Sequence, residues 1–69
     1  MSAHLTPRQM EVLRLLWAGN EIAVIGKHLR RSTKTAEYHL ARLYLKSGTI
    51  NHVQLCRWGL ENGLIKTWE

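Results

Sequence analysis

The sequence predicts an all-α fold, a four-helix bundle domain that contains a helix-turn-helix, on three observations. Apolar residues recur at spacings of three and four in four separate segments, three of those segments open on a side chain suited to capping a helix, and no run alternates with the period of two that a strand needs. With 69 residues the chain reads as one domain, residues 1–69, near the lower size at which a single hydrophobic core sustains a fold.

The first helix is predicted over about 7–18. Thr6 caps it, Pro7 takes the first helical position, where the missing N–H costs nothing, and Gln9 closes a capping box. Met10, Val12, Leu13, Leu16 and Trp17 form its apolar stripe, with Arg8, Glu11 and Arg14 between them, and Gly19-Asn20 stops it. The second helix, about 21–29, starts near Asn20 or Glu21 and is short. Ile22, Ile25 and Leu29 face inward, whereas Lys27, His28 and Arg30 point out. Gly26 in its middle costs roughly 1 kcal/mol against alanine, which implies that another backbone passes too close for a side chain.

The third helix, 33–47, opens after Ser32 and ends before Gly48. Only Arg30 and Arg31 stand between Leu29 and that cap, so the second and third helices must meet at a steep angle, and Gly26 becomes their point of close approach. The fourth helix, about 52–62, is capped by Asn51 with Gln54 three residues on, and stops at Asn62-Gly63. Leu64, Ile65 and Trp68 form an apolar tail.

Charge narrows the function. Ten Lys and Arg against five Glu give a net charge of +5, a balance that attracts polyanions. Lys27, Arg30, Arg31, Lys34, Arg42 and Lys46 fall in a stretch whose sole acid is Glu37, and the flanks are balanced. The single cysteine, Cys56, excludes an intrachain disulfide, and His4, His28 and His52 have no spacing that would gather a metal. No apolar run approaches the length of a membrane span and no signal sequence opens the chain, so a cytoplasmic protein with no membrane contact and no cofactor is expected. Nor is an enzyme expected, because carboxylates are few and neither a nucleophile-base pair nor a glycine-rich phosphate loop is present.

The run LTPRQMEVLRLLWAGN, followed by Ile25-Gly26-Lys27-His28-Leu29 and by Ser32-Thr33-Lys34-Thr35-Ala36-Glu37-Tyr38-His39, closely resembles the DNA-binding domain of LuxR-type (GerE-like) bacterial transcription regulators. The resemblance continues through Leu43, Gly48, Asn51, Gln54-Leu55 and Gly63-Leu64-Ile65. It implies a sequence-specific regulator whose third helix enters the major groove of double-stranded DNA and whose fourth helix pairs with a second copy. Lys34 and Thr35 would correspond to phosphate-anchoring positions beside Ser32, and Glu37, Tyr38 and Ala41 to positions that read bases. Arg42 and Lys46 lie further along, within reach of the sugar-phosphate backbone, and Lys27, Arg30 and Arg31 would add phosphate contacts. Val53, Cys56, Arg57 and Leu60 would form the dimer face.

Three departures from the family pattern stand out. Glu37 occupies a position where Lys or Arg is common, and a carboxylate accepts only from a donor such as cytosine N4. Arg31 replaces the usual aliphatic residue of the turn, so its charge must reach solvent or phosphate. Ile22 and Val24 stand where more polar residues are typical. Plainer roles also apply: Thr6, Ser32 and Asn51 are caps, His39 is a packing histidine, Trp17 and Trp58 are core residues, and Cys56 is a small packing group.

The chain begins directly at this domain, so the resemblance implies a stand-alone regulator that lacks the family's usual sensing domain. Its partners would then be DNA, a second copy, another LuxR-type regulator or RNA polymerase. Two other classes remain open: an interaction protein that pairs with another regulator of the family and blocks it, and an architectural protein that binds any duplex.

Overall fold

The computed structural model describes residues 4–66, so Trp68 lies outside the described residues. Four helices follow one another with no strand among the described residues: α1 Pro7–Trp17, α2 Ile22–His28, α3 Thr33–Ser47 and α4 His52–Glu61. Each lies within one residue of its predicted bounds. Ala18, Glu21, Leu29 and Asn62, read as helical from the sequence, are instead the flanking caps, half-in positions that satisfy only part of the helical pattern.

Local chemistry fixes the helix starts. Thr6 Oγ1 accepts from the Gln9 N–H at 3.1 Å while Gln9 Oε1 accepts from the Thr6 N–H at 3.1 Å, which completes the capping box. Ser32 Oγ accepts from Thr35 N–H and Asn51 Oδ1 from Gln54 N–H. Glu21, the cap of α2, makes no such bond, and the neighbouring Asn20 closes the previous helix by donating to the Leu15 carbonyl.

Three helices end in the same way. Asn20, Arg31 and Leu64 donate backward across the last turn to the carbonyls of Leu15, Gly26 and Gly59, while Gly19, Arg30 and Gly63 donate to those of Leu16, Lys27 and Leu60. This paired arrangement requires a left-handed residue just past the cap. Gly19 and Gly63 supply it at no steric cost, but α2 uses Arg30, the only non-glycine with positive φ among the described residues, at 57°.

The core is one cluster of Val12, Leu13, Leu16, Ile25, Leu29, Ala36, Leu43, Leu55 and Ile65. All four helices contribute, and full burial of each large aliphatic side chain is worth about 1.5–3 kcal/mol. Ile65, assigned from the sequence to an apolar tail, is 3% exposed. A β-carbon at Gly59 would lie 3.1 Å from its Cδ1, so the tail folds back onto α4 where a glycine leaves room. Trp17 Nε1 then donates to the Lys66 carbonyl at 2.9 Å, tying the end of α1 to the same segment.

The close approach expected at Gly26 is present. A β-carbon there would lie 3.0 Å from the Ser32 carbonyl oxygen and 3.1 Å from the Thr33 nitrogen. The α2 backbone therefore rests directly on the entrance of α3.

Candidate nucleic-acid interface

Helical spacing divides α3 into two faces. Ala36 and Leu43 are buried, with Leu40 and Tyr44 packed beside them. Lys34, Glu37, Tyr38, Ala41, Arg42 and Leu45 are all exposed and recur at intervals of three and four, so they form a single outward stripe. At 15 residues α3 is about 22 Å long. Five of these six were singled out from the sequence. Leu45, 74% exposed, was not, although its spacing of four from Ala41 is the signal that identifies it.

Cations surround the start of this stripe. Lys27 lies in the last turn of α2, Arg30 and Arg31 follow it, and Lys34 sits in the first turn of α3; all four are exposed. Arg31 reaches solvent, as its charge requires. The sole ion pair among the described residues joins Arg8 to Glu11 at 3.2 Å. Lys27, Arg30, Arg31, Lys34 and Arg42 thus carry charges that no carboxylate among the described residues neutralises, and Glu37 has no cationic partner there either.

Ser32 and Thr35 serve the fold first. Besides the cap, their hydroxyls lie 3.2 Å apart in a mutual hydrogen bond, which fixes both at the helix entrance. Lys46 is differently placed from the other cations. Its Nζ donates to the Gln9 Oε1 at 2.8 Å and to the His4 carbonyl at 3.0 Å, so two of its three N–H donors are already used by neutral acceptors that tether the exposed side chain to the start of α1. His39 is half-buried, its ring edge-on to that of Tyr38 with centroids 5.6 Å apart.

The residues expected at a dimer face also come together. Val53, Cys56, Arg57 and Leu60 line a groove of about 370 Å³ on α4, joined by Trp17 and His52. Trp17 was read from the sequence as a core residue; it is half-buried, and packing and surface share its ring. Ile50, 81% exposed, and Val53, 70% exposed, extend this apolar surface toward Tyr44. Burial pushes the Cys56 thiol above its ordinary range, and burial together with the Cys56 charge does the same for the Tyr44 hydroxyl. Both are neutral at physiological pH, and the thiol is a packing group with little nucleophilic character.

No group of three or more metal-ligating side chains occurs among the described residues, and no described helix is long and apolar enough to cross a membrane.

Comparison with known proteins gives consistent matches. The family described as bacterial regulatory proteins, luxR family, matches residues 3–59. A probable transcriptional regulator, ycf29, of Cyanophora paradoxa is 34% identical over 65 residues, covering 94% of this chain and 31% of the relative. The response regulator Rre1 of Synechocystis sp. is 36% identical over 59 residues, covering 86% of this chain and 26% of the relative. The chain therefore spans about a third of the length of these relatives or less. No solved structure matches it significantly.

Proposed function

Because the chain belongs to the luxR family of bacterial regulatory proteins, we propose that it is a DNA-binding transcription regulator domain that inserts α3 into the major groove of a duplex. The observation that carries this reading is the outward stripe of α3, opened by Lys34 and flanked by Lys27, Arg30, Arg31 and Arg42, none of them neutralised by a carboxylate among the described residues. A helix of about 10–12 Å diameter fits the major groove, where every base pair presents a different set of donors and acceptors.

In this reading the cations and the polar entrance at Ser32 and Thr35 hold phosphates, which position the protein without reading sequence. The backbone N–H groups and dipole at the start of α3 favour an anion at the same place. Glu37, Tyr38 and Ala41 face base edges. Lys46, engaged with Gln9 and His4, is left out of the phosphate set.

A domain of this size covers few base pairs, so we propose that two copies pair through Val53, Cys56, Arg57 and Leu60. The apolar groove there supports such pairing. Paired copies would address half-sites about 34–36 Å apart, one turn of duplex.

Duplex titrations at several salt concentrations test both parts. Each phosphate contact removed by Lys34→Ala or Arg42→Ala should reduce the slope of log affinity against log salt by about 0.9. Leu60→Arg should shift the sedimenting species from dimer to monomer. If the α3 variants bind every duplex as the unaltered chain does while Leu60→Arg alone abolishes regulation, a protein that pairs with and blocks another regulator replaces this reading.

A further inference from the structure

We infer that Glu37 makes this chain select cytosine: its carboxylate accepts a hydrogen bond from a cytosine N4 amino group, so one position of the bound duplex is read by an anion. The inference rests on the DNA-binding reading above and adds to it the base recognised at a single side chain.

Glu37 is exposed at the middle of the outward stripe of α3, one turn after Lys34 and one turn before Ala41. Lys34 stands three residues away on the same helix, a spacing at which acid and base commonly pair, yet the two form no ion pair. The carboxylate has no hydrogen-bonding partner among the described residues, and the small side chain of Ala41 leaves the next turn open beside it. An unneutralised acid set among Lys27, Arg30, Arg31, Lys34 and Arg42 opposes phosphate binding at every duplex. A hydrogen bond from a base donor, which only some sequences offer, would offset that cost.

The major groove contains two kinds of amino donor, cytosine N4 and adenine N6. Adenine N6 lies beside N7, a lone-pair acceptor that repels a carboxylate, and guanine and thymine present acceptors where they face the groove. Cytosine alone offers its donor with no acceptor on the same base. A neutral amide has the opposite preference, since its paired donor and acceptor match adenine N6 and N7 together.

Selection of bound duplexes from a random pool, run with the full chain, Glu37→Gln and Glu37→Ala, tests the assignment. The unaltered chain should enrich a motif with cytosine fixed at one position of each half-site. Glu37→Gln should turn that position to adenine, and Glu37→Ala should leave it indifferent while the other positions persist. On duplexes that differ only there, the unaltered chain should prefer cytosine about tenfold. Glu37 is exposed, so thermal melts of the three proteins should coincide, which separates recognition from folding. The same motif from all three proteins, or a motif without that cytosine, overturns the assignment while leaving DNA binding intact. Failure of the unaltered chain to enrich any sequence overturns the DNA-binding reading along with it.

Discussion

Lys46 and Gln9, 37 residues apart, share a hydrogen bond of 2.8 Å that links the last turn of α3 to the first turn of α1. The accepting oxygen, on a residue only 5% exposed, also receives the Thr6 N–H of the α1 capping box. One atom therefore serves both a local helix start and a long-range clamp on the far end of the helix proposed to enter the groove. Replacing Lys46 with Met keeps the aliphatic stem but removes the donor. The expected loss is about 1 kcal/mol, seen as a lower urea midpoint with an unchanged m-value. Because Lys46 is left out of the phosphate set, the salt dependence of duplex binding should stay that of the unaltered chain.

Gly26 gives a test in which two effects oppose each other. Alanine is the better helix former by about 1 kcal/mol, so an isolated α2 would gain from Gly26→Ala. In the folded chain the new methyl would meet the Ser32 and Thr33 backbone at 3.0–3.1 Å, and backbone cannot rotate away as a side-chain tip can. The steric term should win, with a net loss of about 1–2 kcal/mol and a melting temperature lower by about 5–10 °C. An unchanged or raised melting temperature would show that the two helices are free to separate.

Arg30 should separate stability from binding. Its left-handed backbone, φ 57°, strains any residue with a β-carbon, so Arg30→Gly should stabilise the fold by about 0.5–1 kcal/mol. The same change deletes a cation beside α3, and the slope of log affinity against log salt should shrink by about 0.9. Parallel unfolding and binding titrations would reveal the opposite signs; a loss in both would mean that the Arg30 side chain stabilises the turn.

The contrast between Gly26 and Arg30 shows what the sequence makes legible. Caps at Thr6, Ser32 and Asn51 and the close approach at Gly26 follow from neighbours a few residues away, so the four helices and the outward stripe of α3 could be read in order. Arg30 could not. Glycine at a helix end announces a left-handed residue, but an arginine forced into that role by the bonds of Arg30 and Arg31 to Lys27 and Gly26 carries no such mark. Equally hidden were the Lys46 clamp and the burial of Ile65 against Gly59. Both depend on how the chain folds back on itself and leave no local periodicity.

Alkaline pH should weaken the fold. Burial raises the Cys56 thiol and the Tyr44 hydroxyl above their ordinary values of 9.0 and 10.0, with the Cys56 charge adding to the effect on Tyr44. The folded chain keeps these protons at pH values where the unfolded chain has lost them. Their contribution is complete below the unfolded values and disappears as pH rises through the folded ones. The urea midpoint should therefore decline above about pH 9, and the decline should be shallower in Cys56→Ala. A midpoint that climbs over this range would contradict the burial of these two groups.

Contact between the outward face of α3 and a duplex can be followed at every backbone amide by titrating the isotopically labelled protein with the selected DNA. If α3 makes this contact, the largest shifts should fall between Ser32 and Leu45, centred on Lys34, Glu37, Tyr38, Ala41 and Arg42, with Lys27 and Arg31 responding beside them. Shifts confined to Val53, Cys56, Arg57 and Leu60, with α3 silent, would contradict it.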